Sequence, residues 1–257
     1  MKNDNAHALL SSILELLKMM TEAGAEIYRI EDSANHIFNA YGFKNVDIYA
    51  TTSNIIISVE TEDGAIKTHS RRISGIATNI EAVDKLNSLV RHITEQTPDA
   101  QTIKAEIDKI KALPNYPFYV RILFYGIIAG AFYFFFGGRN LAEFAVSSGI
   151  GLMTGVITAL LDRAKTNKFM VKFVCSLAAC LVIFSLKSLS VVTHLDNIII
   201  ANIMTLIPGV GLTNSLRDLF VGDSVSGILR LIEVTLLALA IACGYILTTL
   251  IFGGVAL

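Results

Sequence analysis

The sequence predicts a small α+β domain followed by an all-α transmembrane bundle of about five helices. Composition is the first reason. Hydrophobic residues fill 53% of 257 positions, more than an ordinary soluble domain holds. Their placement is the second: residues 1–117 carry most of the charge, and residues 118–257 form long apolar runs. The third is a change of period, from helical to alternating and back, all before residue 114. The expected boundary is Pro114-Asn115-Tyr116-Pro117, giving a cytoplasmic domain over 1–117 and a membrane domain over 118–257.

In the first part, Asp4 or Asn5 can cap a helix whose apolar positions are Leu9, Leu10, Ile13, Leu14, Leu17 and Met20, with Gly24 as its stop. A second helix carries Ile30, Ala34, Ile37, Phe38 and Tyr41 on one face and stops at Gly42. Val46–Ala50 then alternates, Ile55–Val59 is β-branched, and Asp63-Gly64 signals a hairpin turn before a third strand over Ala65–Ile73. Helical spacing returns at Ile80, Val83, Leu86, Val90 and Ile93, and again, after Pro98, at Ile103, Ile107 and Ile110. Helices on one face of an antiparallel sheet satisfy this pattern.

In the second part, a span needs about 20 mostly apolar residues. That places spans near 118–137, 141–161, 169–189, 197–212 and 228–251. Tyr116 and Tyr119 suit the membrane interface. Ser147, Gly151 and Gly155 form a small-residue face that permits close helix approach. Arg163, Lys165, Lys168 and Lys172 cluster after the second span, and Arg217 falls on that same side, in the loop after the fourth. Their positive charge puts the N-terminus in the cytoplasm and, with five spans, Leu257 outside. The start of the chain lacks the uninterrupted apolar core of a signal peptide. Cys175, Cys180 and Cys243 sit in apolar runs, with neither disulfide nor metal spacing. No basic stripe suits nucleic acid, and no motif calls for a cofactor.

The candidate substrate-binding or coupling residues concentrate in Leu206–Gly227. Pro208, Gly209 and Gly211 break an apolar run there, as in a discontinuous helix whose ends face a substrate; a plain proline kink or a helix end is the alternative. Asn214, Arg217, Asp218 and Asp223 come next, either to bind a zwitterion or as ordinary solvated loop charges. Asn202 and Thr205 can bond substrate or a neighbouring helix. Arg230 and Glu233 lie three apart at the start of the last span, where each would cost about 2.5–3.5 kcal/mol at a helix centre. They are either a structural pair or, for Glu233, a proton-exchanging carboxyl. Glu143 is expected at the interface. Arg29, Glu31, His69 and Arg71 hint at a pocket in the first domain, without a catalytic or metal motif.

Gly24-Ala25-Glu26-Ile27-Tyr28-Arg29-Ile30-Glu31 is similar to the opening motif of a known family. Ile207-Pro208-Gly209-Val210, Thr213-Asn214-Ser215-Leu216-Arg217-Asp218, Gly222-Asp223, Ser226-Gly227 and Arg230 complete the likeness. Together they resemble the threonine/serine exporter family across nearly the whole chain. The resemblance implies secondary, proton-coupled export of a threonine- or serine-like amino acid across the cytoplasmic membrane. A small dicarboxylate such as succinate is the alternative, which fits better if Arg217 and Arg230 face one cavity. Longer members fuse two membrane halves; this chain carries one, which implies a second small membrane subunit. A membrane-anchored sensor or enzyme acting through the first domain, and a scaffold forming a homo-oligomer through Ser147, Gly151 and Gly155, are readings from other classes.

Overall fold

A computed structural model describes residues 3–61, 64–114 and 116–253. The chain divides into two compact units, Met1–Pro114 with Val210–Ile232, and Asn115–Gly209 with Glu233–Leu257.

The first unit is built around helix α1 (Asn3–Glu22). The helix already includes Asp4 and Asn5, so neither is the cap expected of it. Leu9, Leu10, Ile13, Leu14, Leu16, Leu17 and Met20 are all buried, because α1 packs against helices and sheet together rather than along one stripe. Gly24 leaves the helix at a φ of +91°, where a side chain would be strained.

Around α1 lie α2 (Ile27–Ala40), α3 (Ile80–Gln96), α4 (Ala100–Lys111) and the strands β1 (Lys44–Ala50), β2 (Asn54–Glu60) and β3 (Ile66–Arg72). The sheet is antiparallel in the order β1-β2-β3. In β2, Ile55, Ile57 and Val59 are buried while their neighbours are half-buried, so one face meets the helices. Asp63 lies outside the described residues; Gly64, at a φ of +76°, has the backbone a tight turn asks of glycine. Asn79 and Asp99 cap α3 and α4 by accepting from the N–H groups of Ala82 and Thr102.

The second unit holds α5 (Phe118–Phe135), α6 (Leu141–Arg163), α7 (Lys168–Ser188), α8 (Leu195–Leu206) and the later part of α10 (Ser224–Ile251). Among the described residues, α5, α6, α7 and α10 are long and apolar enough to cross a membrane. Helices α8 and α9 (Gly209–Val221) make a fifth if taken together as one broken span. The expected span over 197–212 is therefore two helices. The helix that carries the last expected span, over 228–251, begins at Ser224.

Helices α5 and α6 form the tightest pair. A Cβ on Gly151 would come within 2.5 Å of the Tyr125 carbonyl oxygen, and one on Gly155 within 3.2 Å of the Ile122 Cα. The small face is thus filled by α5 and is not available to a second copy. Hydrogen bonds fasten the rest: Ser147 donates to the Ala129 carbonyl at 3.0 Å, and Ser176 of α7 to the Ile241 carbonyl of α10 at 2.7 Å. Asn202 is buried, and its amide donates to Ser147 Oγ at 3.1 Å, so it bonds across helices. Thr205 bonds back to Ala201 in its own helix.

Candidate functional site

The helical run breaks at Ile207-Pro208. Proline has no N–H to give and drives the residue before it out of the α region. Ile207 accordingly has an extended ψ of 130°, α8 ends at Leu206, and α9 restarts at Gly209. The Gly209 N–H is taken by the Ile207 carbonyl at 2.9 Å. It is therefore not an open donor for a substrate.

Beyond the break the chain is helical, not a loop. Asn214, Arg217 and Asp218 all lie within α9, and the connection to α10 is only Gly222-Asp223. Gly222 has a φ of +109°, and the Asp223 N–H bonds the Asp218 carbonyl at 2.9 Å. Gly227 lets α10 turn back against α9, since a Cβ there would meet the Leu219 backbone nitrogen at 2.9 Å.

This elbow is laid on the loop between α1 and α2. Asn214 Nδ2 donates to the Gly24 carbonyl at 3.1 Å, and Arg217 Nη1 meets Glu26 Oε1 at 2.7 Å. Arg230 Nη2 reaches the Ala25 carbonyl at 3.4 Å, and its Nη1 is 3.3 Å from Asp218 Oδ2. The two sequence motifs of the resemblance, far apart along the chain, are thereby in contact through these bonds.

Two of the pairs differ in kind. The Arg217 side chain is 53% exposed, so its pair with Glu26 is a surface ion pair. Asp218 and Arg230 are 1% and 5% exposed. Among the described residues, neither Asp218 carboxylate oxygen, nor Arg230 Nε or Nη1, makes a hydrogen bond of good geometry, although the Ile27 backbone N–H faces the Asp218 carboxylate. Buried charges without their hydrogen bonds are costly and rare. Asp218 is thus no solvated loop charge.

A groove of about 320 Å³ opens beside the elbow, between α2, α3 and α9, lined by Glu26, Arg29, Asp32, His36, Arg91 and Arg217 among others. Its volume is at the lower end for small-molecule sites. Three arginines give it fork-shaped donors suited to a carboxylate.

Apart from Arg29, which lines the groove, the other candidates lie elsewhere. Glu233 is half-exposed and pairs with Lys168 at 3.3 Å, so it is not the partner of Arg230. Arg29 lies 3.9 Å from Glu26, Glu31 accepts the Ala50 N–H, His69 stacks edgewise on His7, and Arg71 donates to Ser11. These four do not form one pocket. Burial, with Asp223 adding to it, raises the Glu31 carboxyl above its usual range despite the Ala50 N–H.

Sequence reasoning missed Glu26 and the carbonyls of Gly24 and Ala25 as partners of the elbow. It did not foresee that Glu143, in the first turn of α6, is 1% exposed and enclosed by protein. Only its lone charge at the head of an apolar run signals it.

No solved structure matches the chain. A protein of Klebsiella aerogenes named "Probable succinate transporter subunit YjjP" is 23% identical over 237 residues, covering 91% of this chain and 90% of that one. Its namesake in Escherichia coli strain K12 is 21% identical over 258 residues, covering 98% of each. The family model described as "Putative threonine/serine exporter" matches residues 11–252. Since that match includes the Gly24–Glu31 motif, the Pro208 break and the α9–α10 elbow, the chain belongs to the threonine/serine exporter family.

Proposed function

We propose that the chain is the larger subunit of a secondary exporter that carries a small carboxylate metabolite out across the cytoplasmic membrane, driven by protons. The observation that carries this is the buried, under-bonded Asp218–Arg230 pair, next in sequence to a broken helix. A plain anchor has no use for either feature. An element that changes partners during transport has a use for both, because unmet donors and acceptors await a second arrangement.

The substrate enters from the cytoplasm through the groove of Arg29, Arg91 and Arg217. A dicarboxylate is the first substrate to test, because three arginines line the groove and both relatives are named for succinate. A threonine- or serine-like amino acid is the second, its ammonium facing Glu26 or Asp32. Residues 1–117 then lie in the cytoplasm, on the side of Arg163, Lys165 and Lys168. A second small membrane subunit supplies the other half of the pathway; this chain matches nearly the full length of relatives that are themselves named as subunits.

The test is efflux of labelled succinate and labelled threonine from cells expressing the chain, with and without the small subunit. Arg217→Ala is the informative variant, since an exposed pair contributes only about 0–1 kcal/mol to stability. Its membrane level stays normal and efflux is lost. Unchanged efflux at normal level removes Arg217 from the site, and no efflux of either compound from wild type removes the export reading.

A further inference from the structure

We infer that the substrate crosses the membrane along one face of α6, and that the Asn202 side-chain oxygen reads a hydroxyl or ammonium group on it. The inference rests on the export reading above and narrows its solute: a small carboxylate that also carries a hydrogen-bond donor.

Helix α6 carries Glu143, Ser147, Gly151, Thr154, Thr158 and Asp162, each three or four residues after the last, so they share one face. At 1.5 Å per residue that strip runs about 28 Å, close to the ~30 Å hydrocarbon core of a bilayer. Neighbouring segments set polar atoms against it along most of its length. Glu143 accepts from the Tyr133 hydroxyl of α5 and from the N–H groups of Thr193 and His194, just before α8. Ser147 accepts from Asn202 of α8 at 3.1 Å. The Thr154 carbonyl and the Thr158 hydroxyl lie 3.8 and 3.3 Å from Cys175 Sγ of α7. Asp162 pairs with Arg121 of α5 at 3.4 Å. Charge on the strip is confined to its two ends, and its middle is neutral.

Neutral polar residues also bond helices together in ordinary bundles. Asn202 goes beyond that role. It is 2% exposed, and its Nδ2 donates to both Ser147 Oγ and the Ile198 carbonyl, yet its Oδ1 has no partner among the described residues. A buried acceptor left unmet carries a cost that a leucine in its place would not, and a ligand group that donates to it removes that cost. A hydroxyl or an ammonium donates. A fully ionised plain dicarboxylate carries only acceptors and does not. Asn202 also sits on the short helix that ends at Leu206, just before the Pro208 break. Helix α8 is thus the element placed to move off α6 and admit the solute to the strip.

The test uses inverted membrane vesicles from the native host, carrying the chain at its own locus so that any partner is present, with vesicles lacking the chain as the baseline. Uptake of labelled succinate, malate and threonine is compared; malate differs from succinate only by a hydroxyl. Wild type should take up malate or threonine about tenfold faster than succinate at low concentration, and Asn202→Leu should abolish that preference. Equal or faster uptake of succinate by wild type overturns the role of Oδ1. So does an unchanged preference in the variant, because a merely structural Asn202 slows all three alike. In the same wild-type vesicles, Cys175, buried against the strip, is followed by peptide mass spectrometry under a small water-soluble thiol reagent. It should react, and more slowly with substrate saturating, while Cys180, buried beside Ser176, stays unreacted. No reaction at Cys175, or equal reaction at both, overturns the path. Where Asn202→Leu fails to reach the membrane, the wild-type preference and Cys175 carry the test. If wild type moves none of the three compounds, the export reading falls, and Cys175 by itself decides whether the strip opens to water.

Discussion

Replacing Asp218 with alanine leaves Arg230 as a buried cation with no counter-charge. The two side chains are 3.3 Å apart at their nearest polar atoms and 5% exposed or less. Removing one member of a buried pair costs about 3–5 kcal/mol, whereas replacing both by apolar residues of similar size is often neutral or stabilising. The pair meets at 3.3 Å rather than in a close, well-aligned bond, so the lower end applies, roughly 3 kcal/mol. At about 1.4 kcal/mol per tenfold change, that raises the local opening equilibrium by about two orders of magnitude. The assay is hydrogen exchange read by mass spectrometry on peptides covering α2, α9 and the start of α10, in purified protein. Asp218→Ala should speed exchange there by about a hundredfold, while the double variant Asp218→Leu/Arg230→Met returns to within about tenfold of wild type. If the single variant exchanges at the wild-type rate, the pair is not a desolvated one and the argument for its second arrangement fails.

Three further outcomes are expected. Gly151→Ala forces its Cβ against the Tyr125 carbonyl and should cost about 1–3 kcal/mol, seen as a lower membrane level, while Gly149→Ala, with nothing within 4 Å, should be silent. Residues 1–114 should fold alone, with cooperative thermal unfolding by circular dichroism, because every buried member of the first core lies between Leu9 and Ile107. In that fragment, burial raises the Glu15 carboxyl, but Lys111, with Lys18 and Arg71, more than offsets this and holds it below its usual range. A depressed carboxyl stabilises the fold above its unfolded pKa of about 4.3 and stops doing so as pH falls through the folded value. Glu15→Gln should therefore flatten the loss of stability with acid in that window.

Much of the architecture is legible in the sequence because it follows from local periodicity. Buried Ile30, Ala34, Ile37 and Phe38 are the face that helical spacing picks out, and the apolar runs bound α5, α6 and α7 within a few residues. Pro208 is legible for the same reason, since its effect on Ile207 is local. The reading of Arg217 and Asp218 as loop charges fails because Gly209 and Gly211 look like loop residues, yet the helix restarts at once.

Residue order alone is enough to establish two parts of different character, a broken apolar segment, and a family likeness resting on the Gly24–Glu31 and Ile207–Arg230 motifs. That these motifs touch, through Asn214, Arg217 and Arg230 against the Gly24–Glu26 loop, emerges only from the folded chain. So does the difference between buried Asp218 and exposed Arg217, and the enclosure of Glu143 by protein. Periodicity reports which face of an element is buried. What a polar group meets there depends on chain segments far away in sequence, and those contacts set the cost of its charge.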